Sequence, residues 1–257
     1  MLKEIYSFVV EDIKEVEEKT KEKRKNDAGV EEEVEVTKKV KKKVPYKIVL
    51  KEPTRRELEE ADMEFSIEMS NCIKKGILTK AMLAKKYSDT GGLLAESDAT
   101  QLVDLYAELA DNEAEYTRRT LQNKNVKRLP KKTQEEINKL ASRTAIIRRD
   151  IVSLESSYQS LFNHTADTKA QNKIVMWYVT HLSYFKPEEE GAELKPMFEG
   201  DTFEAKIDSY YHKDESEDSL HQLTAGKLAA LLSYWYFSTE VQKESFDNII
   251  NDIDNQT

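Results

Sequence analysis

The stretch TQEEINKLASRTAIIRRDIVSLESSYQSLF, residues 133–162, decides the fold. Ile137, Leu140, Thr144, Ile147, Ile151, Leu154, Tyr158 and Leu161 recur three and four residues apart and hold one register without a slip. That spacing predicts a long helix buried along one stripe. Thr133 with Glu136 reads as a capping box at its start, and Pro130 closes off whatever precedes it. At about 1.5 Å per residue the helix is roughly 40 Å long, too long for a compact domain to bury from end to end. It therefore needs a partner, inside the chain or outside it.

The flanking charges bear on which partner. With Ile137 at position a, Glu136, Arg143 and Asp150 fall at g, and Arg148 and Glu155 at e. A parallel pair of this helix with itself sets Arg143 against Arg148 and Asp150 against Glu155, which is repulsive both times. An antiparallel pair reverses the signs. A second stripe at the same spacing, Leu102, Leu105, Leu109, Asn112 and Tyr116, lies upstream on a helix expected to begin at Asp98. A link from Leu121 to Lys132, containing Asn123, Asn125 and Pro130, lets the chain reverse. Folding back brings Leu102 to Ile151, Leu109 to Thr144 and Tyr116 to Ile137, with Glu108 beside Arg143. The expected core is an intramolecular antiparallel helical hairpin.

At 257 residues the chain holds one large or two modest domains. Charged residues are 35% of it, with only 7 Gly and 5 Pro, a helix-rich profile. A net charge of -9 argues against a duplex nucleic-acid binder, which needs a basic face to displace counterions. The single cysteine, Cys72, excludes an internal disulfide and disfavours a Cys-based zinc site. No apolar run approaches the roughly 20 residues of a membrane span, and no leader-like h-region stands at the N-terminus. The expectation is a soluble intracellular protein.

Residues 2–10, LKEIYSFVV, read as a short strand or a docking peptide. From Glu11 to Lys43 the chain is mostly Glu and Lys, with blocks such as Glu31-Glu32-Glu33 and Lys41-Lys42-Lys43. A composition of that kind predicts a flexible or solvent-exposed arm, the alternative being a segment that orders on a partner. VPYKIVL, 44–50, is the best strand, with Val34, Val36 and Val40 as a looser partner. Thr54 and Glu57 then form a capping box ahead of a helix carrying Leu58, Ala61, Phe65, Met69, Cys72 and Ile73 on one face. Gly76 ends it, and a second helix runs to Gly91-Gly92.

Further on, Thr168 with Gln171 caps a helix holding Ile174, Trp177, Tyr178, His181 and Phe185. His181 on that apolar face reads as a satisfied core residue. Asp201 and Glu204 cap another helix, and the helix from Leu220 to Phe237 ends in LLSYWYF. Apolar on nearly every side, that end is either buried, the favoured reading, or leaves aromatic surface exposed. The organisation expected is a charged N-terminal arm with short strands over 1–50 and a helical domain over 51–257. The fold class is mainly α, a multi-helix bundle with a long antiparallel hairpin and a short β element near the N-terminus.

Three stretches together carry a family resemblance: EPTRRELEEADMEFSIEMSNCIKKGILTKAMLAKKYSDTGG (52–92), PMFEGDTFEAKIDSYY (196–211) and LLSYWYF (231–237). They resemble a tail-assembly chaperone or minor virion protein of large contractile-tailed phages. The resemblance covers about a quarter of the chain and leaves the arm outside it. It implies a protein that works by binding, holding an aggregation-prone tape-measure protein until the tail tube forms. The alternative is a structural subunit of the tail, neck or baseplate. It implies localisation in the host cytoplasm, or in the virion if the chain is structural.

No P-loop, GxGxxG, HExxH or GxSxG stands in the chain, so an enzyme is not expected, and no catalytic, cofactor-binding or metal residues are assigned. The candidate partner-binding residues are Tyr158 and Leu161, which extend past the expected hairpin mate, with Tyr234, Trp235 and Phe237 at the aromatic helix end. The partner expected is a phage tail protein, with neither nucleic acid nor membrane; self-association is compatible with the same surfaces.

Overall fold

The computed structural model describes residues 3–25, 31–123, 130–189, 191–238 and 242–255, and the backbone alone for 15–25 and 31–41. The chain is mainly helical with a four-stranded antiparallel sheet. Two compact units form, residues 63–173 and residues 1–62 with 174–257. The division does not follow the boundary expected near residue 50, because the N-terminal strands pair with a strand at 183–187 and thereby join the two chain ends in one unit.

Unit 63–173 is built on the hairpin. Helices α1 (Arg55–Lys74) and α2 (Lys80–Thr90) precede α3 (Glu96–Gln122) and α4 (Lys131–Ser157), and a four-residue turn α5 (Gln159–Phe162) follows. The two long helices run antiparallel. Arg143 reaches Glu108 with two bonds of 2.5 and 2.6 Å, as the fold-back register predicts. Arg148 donates to Glu113 at 2.7 Å, Arg119 to Glu136, and the Tyr158 hydroxyl to Asp98 at 2.7 Å. These charges are therefore used against α3, and the self-pairing of Arg143 with Asp150 is not needed. Ala84, Leu94, Ala99, Leu102, Ile147, Ile151 and Phe162 form the buried core, with Leu154, Tyr158 and Leu161 packed on it.

Burial is uneven along the seam. Leu102, Ile147 and Ile151 are buried, whereas Tyr116 at the far end of the same stripe is 38% exposed, and Leu121, on another face of α3, is 62% exposed. The cause is local: α2 lies against α3 and closes the Leu94–Leu102 end, and two helices alone cannot bury a seam from all sides. Lys80 Nζ of α2 stands 2.6 Å from Glu155 of α4, and the Tyr106 hydroxyl of α3 donates to the same carboxylate. One acidic side chain thus ties three helices. The reversal expected between Leu121 and Lys132 falls on residues 124–129, outside the described residues.

Two expectations for α4 are corrected. The helix begins at Lys131 with Pro130 as its first flanking residue, and no side chain caps it. Pro130 stands at the N-cap with an extended backbone, so the start falls two residues before Thr133, and Glu136 pairs with Arg119. Continuity to Phe162 also fails at Tyr158, whose backbone (φ -125, ψ 31) breaks the helix. The break lets the Tyr158 hydroxyl reach Asp98 and turns Phe162 into the core.

In the other unit, β1 (Glu4–Lys25) and β2 (Glu31–Lys51) pair along their whole length, and β3 (Ser183–Pro187) and β4 (Lys195–Pro196) extend the sheet beside β2. Where a flexible or solvent-exposed arm is expected, the backbone forms a paired ribbon. Its register explains why: Glu15 stands opposite Lys41, Glu17 opposite Lys39, Glu18 opposite Lys38, Lys21 opposite Glu35, Lys23 opposite Glu33, Arg24 opposite Glu32 and Lys25 opposite Glu31. Charge blocks that look like low complexity along the chain are complementary across it, and opposite-charge cross-strand pairs favour pairing. Val34, Val36 and Val40 belong to the same strand as VPYKIVL, not to a partner of it.

Tyr6, Phe8, Val10 and Asp12 alternate onto the buried face of β1, opposite Leu50, Ile48, Tyr46 and Val44 of β2. Helices α6 (Ala166–Leu182), α7 (Phe203–Glu215), α8 (Ser219–Phe237) and α9 (Lys243–Asp254) complete the order. Tyr6 stacks on Phe246 of α9 at 4.9 Å and donates to Asp247 at 2.5 Å. The Thr54–Glu57 capping box is present, with Glu57 Oε2 accepting from Thr54 N–H at 2.8 Å and Thr54 Oγ1 from Glu57 N–H at 3.3 Å. Elsewhere the caps shift: Thr165 rather than Thr168 serves α6, and Thr202 rather than Asp201 serves α7. Phe185 is not on the helix with His181, because α6 ends at Leu182 and Phe185 pairs in β3 with Ile48.

Candidate functional site

The inner face of α8 is set by Leu220, His221, Thr224, Leu228, Leu231 and Leu232, all buried at helical spacing. Past Leu232 the aromatics leave in different directions. Tyr234 packs on Phe246 at 5.4 Å, and Trp235 and Tyr236 approach Tyr178 at 5.2 and 5.7 Å. Burial raises the Tyr178 and Tyr236 hydroxyls above the usual phenol range. The Phe237 ring meets the Tyr236 ring edge-on at 4.8 Å and is 56% exposed.

Tyr158 and Leu161 belong to the other unit and do not extend past a mate: both pack on the core that holds Leu94 and Leu102. Of the five candidate residues, Phe237 is the one presented to solvent. Sequence reasoning missed a second surface on α1. Met63 and Ile67 are 61% and 45% exposed, one helical turn apart and on the side away from Ala61, Phe65, Met69 and Cys72. The signal was legible as apolar residues on both sides of α1, which only one core cannot bury.

Two buried polar groups stand out near the start of α8. Asp12 is 1% exposed, and neither carboxylate oxygen has a hydrogen-bond partner among the described residues. Lys14 Nζ lies 3.9 Å from it and donates to the Tyr46 hydroxyl at 2.7 Å. These residues line a cavity of about 120 Å³ with Lys213 and Asp218, themselves 3.7 Å apart. Asp218 caps α8 by accepting the His221 N–H at 2.8 Å. The His221 ring is buried edge-on to Tyr210 and Phe198, with Nε2 3.7 Å from Asp214, and burial lowers its proton affinity. The cavity lining carries two carboxylates and two ammonium groups, charges of both signs in balance.

Burial, with Glu68 beside it, raises the Cys72 thiol and keeps it protonated. His181 stacks on Trp177 at 4.0 Å, with Nδ1 2.9 Å from the Trp177 carbonyl, and burial pulls its pKa down to about 4. Among the described residues no three His, Cys, Asp or Glu side chains are grouped to hold a metal ion, and no helix is long and apolar enough to cross a membrane. No family model, curated protein or solved structure matches the chain.

Proposed function

We propose that the chain is a non-enzymatic protein-binding factor of tail assembly in a large contractile-tailed phage, holding a tape-measure-type tail protein through exposed helical and aromatic surface. The observation that carries the binding reading is the Met63–Ile67 ridge on α1. Burying an aliphatic side chain of this size yields about 1.5 to 3 kcal/mol, so two neighbours and Phe237 supply anchors of the kind that dominate interfaces. The phage assignment rests on the sequence resemblance. Its test is a tagged copy expressed in infected cells, together with mass spectrometry of purified particles. Co-purification of a tail protein with the chain absent from particles supports the assembly role. Stoichiometric presence in particles overturns it in favour of a structural subunit of the tail, neck or baseplate.

A further inference from the structure

The outer edge of β2 carries a pattern that the hairpin does not require. On one side β2 pairs with β1 throughout, whereas on the other β3 covers only Tyr46–Leu50. Glu188 N–H reaches the Pro45 carbonyl at 3.0 Å, and from Val44 out to Glu31 no further ladder stands on that edge among the described residues. The β1–β2 register is irregular only between Glu4 and Tyr6, so this edge has no bulge, and residues 31–44 contain neither proline nor glycine. The Lys residues on it deter pairing with an unrelated strand, so a long straight edge without bulge or proline is a template only for a strand whose charges answer them.

The sequence along it is EEEVEVTKKVKKK, residues 31–43. Turned end for end about Thr37 and laid against itself, it sets Glu31 opposite Lys43, Glu32 opposite Lys42, Glu33 opposite Lys41 and Glu35 opposite Lys39. Val34 meets Val40, Val36 meets Lys38, and no like charges meet. Moving the register by one residue either way loses Glu–Lys matches and parts Val34 from Val40. A parallel arrangement stacks each charge on its own kind. Pairing within the chain does not demand this symmetry, because a Glu-only strand opposite a Lys-only strand makes an equally good hairpin. What does demand it is a two-fold axis. The other open edge, that of β1, is a poorer match: its best self-pairing centres on Glu18 against Glu18 and draws in the buried Asp12.

We propose that the chain forms a two-fold dimer by antiparallel pairing of Glu31–Lys43 with the same stretch of a second copy. The sheet then runs β1-β2-β2-β1 across the axis, over a ladder roughly 40 Å long. This goes beyond the binding role above and stands independently of it, since the edge used shares no residue with α1 or α8.

Directly opposed residues of an antiparallel pair have Cα atoms about 4.5 or 5.5 Å apart, within the span of a disulfide. The test uses the full chain with Cys72→Ser as background and adds either Thr37→Cys at the axis or Glu18→Cys at the rival centre. Light scattering of the unmodified chain should return twice 29.8 kDa, and mild oxidation should cross-link most of the Thr37→Cys protein and little of the Glu18→Cys protein. Raising the salt should return the unmodified chain to a monomer, since the matched charges are screened. A monomeric mass at every concentration overturns the proposal. So does a dimer that cross-links through Glu18→Cys, or one that Thr37→Cys fails to trap.

Discussion

His181 is where acid should first be felt. Burial lowers its proton affinity in the fold from the ordinary 6.5 to about 4, so between those values the unfolded chain binds a proton that the folded chain does not. Stability from this group is complete above pH 6.5 and is lost as pH falls towards 4; His221, also lowered by burial, adds with the same sign. Thermal melts from pH 7 to 4 should show the decline, and His181→Phe, which keeps a ring on Trp177, should flatten part of it. An unchanged slope in that variant contradicts the assignment. Asp12 makes the opposite kind of case. It is a buried carboxylate at the end of the apolar row Tyr6, Phe8 and Val10, with no hydrogen bond to offset its burial. Replacing it with Leu should raise unfolding free energy by about 1 kcal/mol or more in urea melts. A loss of stability means that the ion pair to Lys14 outweighs desolvation. The two residues also differ in how far sequence alone could reach them. His181 on an apolar helical face could be read as core; the burial of Asp12 could not, because it depends on strand alternation continuing into a stretch whose composition pointed to an open arm.

Among the elements, the hairpin was readable because its information is local and periodic: six seam residues of α4, Ile137 to Leu154, keep one spacing, and Glu108 finds Arg143 where the fold-back puts it. What spacing could not supply is depth, which depends on α2. Leu102→Ala should therefore cost about 2 to 5 kcal/mol and Leu121→Ala under about 1 kcal/mol, a contrast between the covered and the open face of α3 readable in urea melts. Ile147→Asp, which buries an unpaired charge, should cost several kcal/mol and abolish cooperative unfolding of the unit. Equal costs at Leu102 and Leu121 contradict the uneven burial. The ribbon was the element least legible, since its complementarity exists only across the hairpin, between residues up to 20 apart within the matched blocks from Lys25↔Glu31 to Glu18↔Lys38 and further still towards its base. Replacing residues 15–41 by a tight turn should leave melting of the body nearly unchanged. A large fall in melting temperature shows that the ribbon supports the body.

At the scale of the whole molecule, the chain forms two compact units, and Met63 and Ile67 make an apolar ridge on α1. Sequence placed the candidate contact surface on Tyr158, Leu161, Tyr234, Trp235 and Phe237, and the structure leaves the first four partly buried and Phe237 exposed. Aromatic residues at the end of an apolar helix have two possible destinations, and side chains from α6 and α9 decide between them at distances the sequence does not encode. Met63 and Ile67 reverse that lesson: they sit on a helix that reads as amphipathic through its other face. The decisive measurement is capture of the tail protein by purified wild-type chain and by Met63→Glu with Ile67→Glu, with melting temperature recorded for both. The account predicts that the double variant melts like the parent and loses at least tenfold in affinity, which is about 1.4 kcal/mol. Undiminished capture by a variant that folds normally contradicts it.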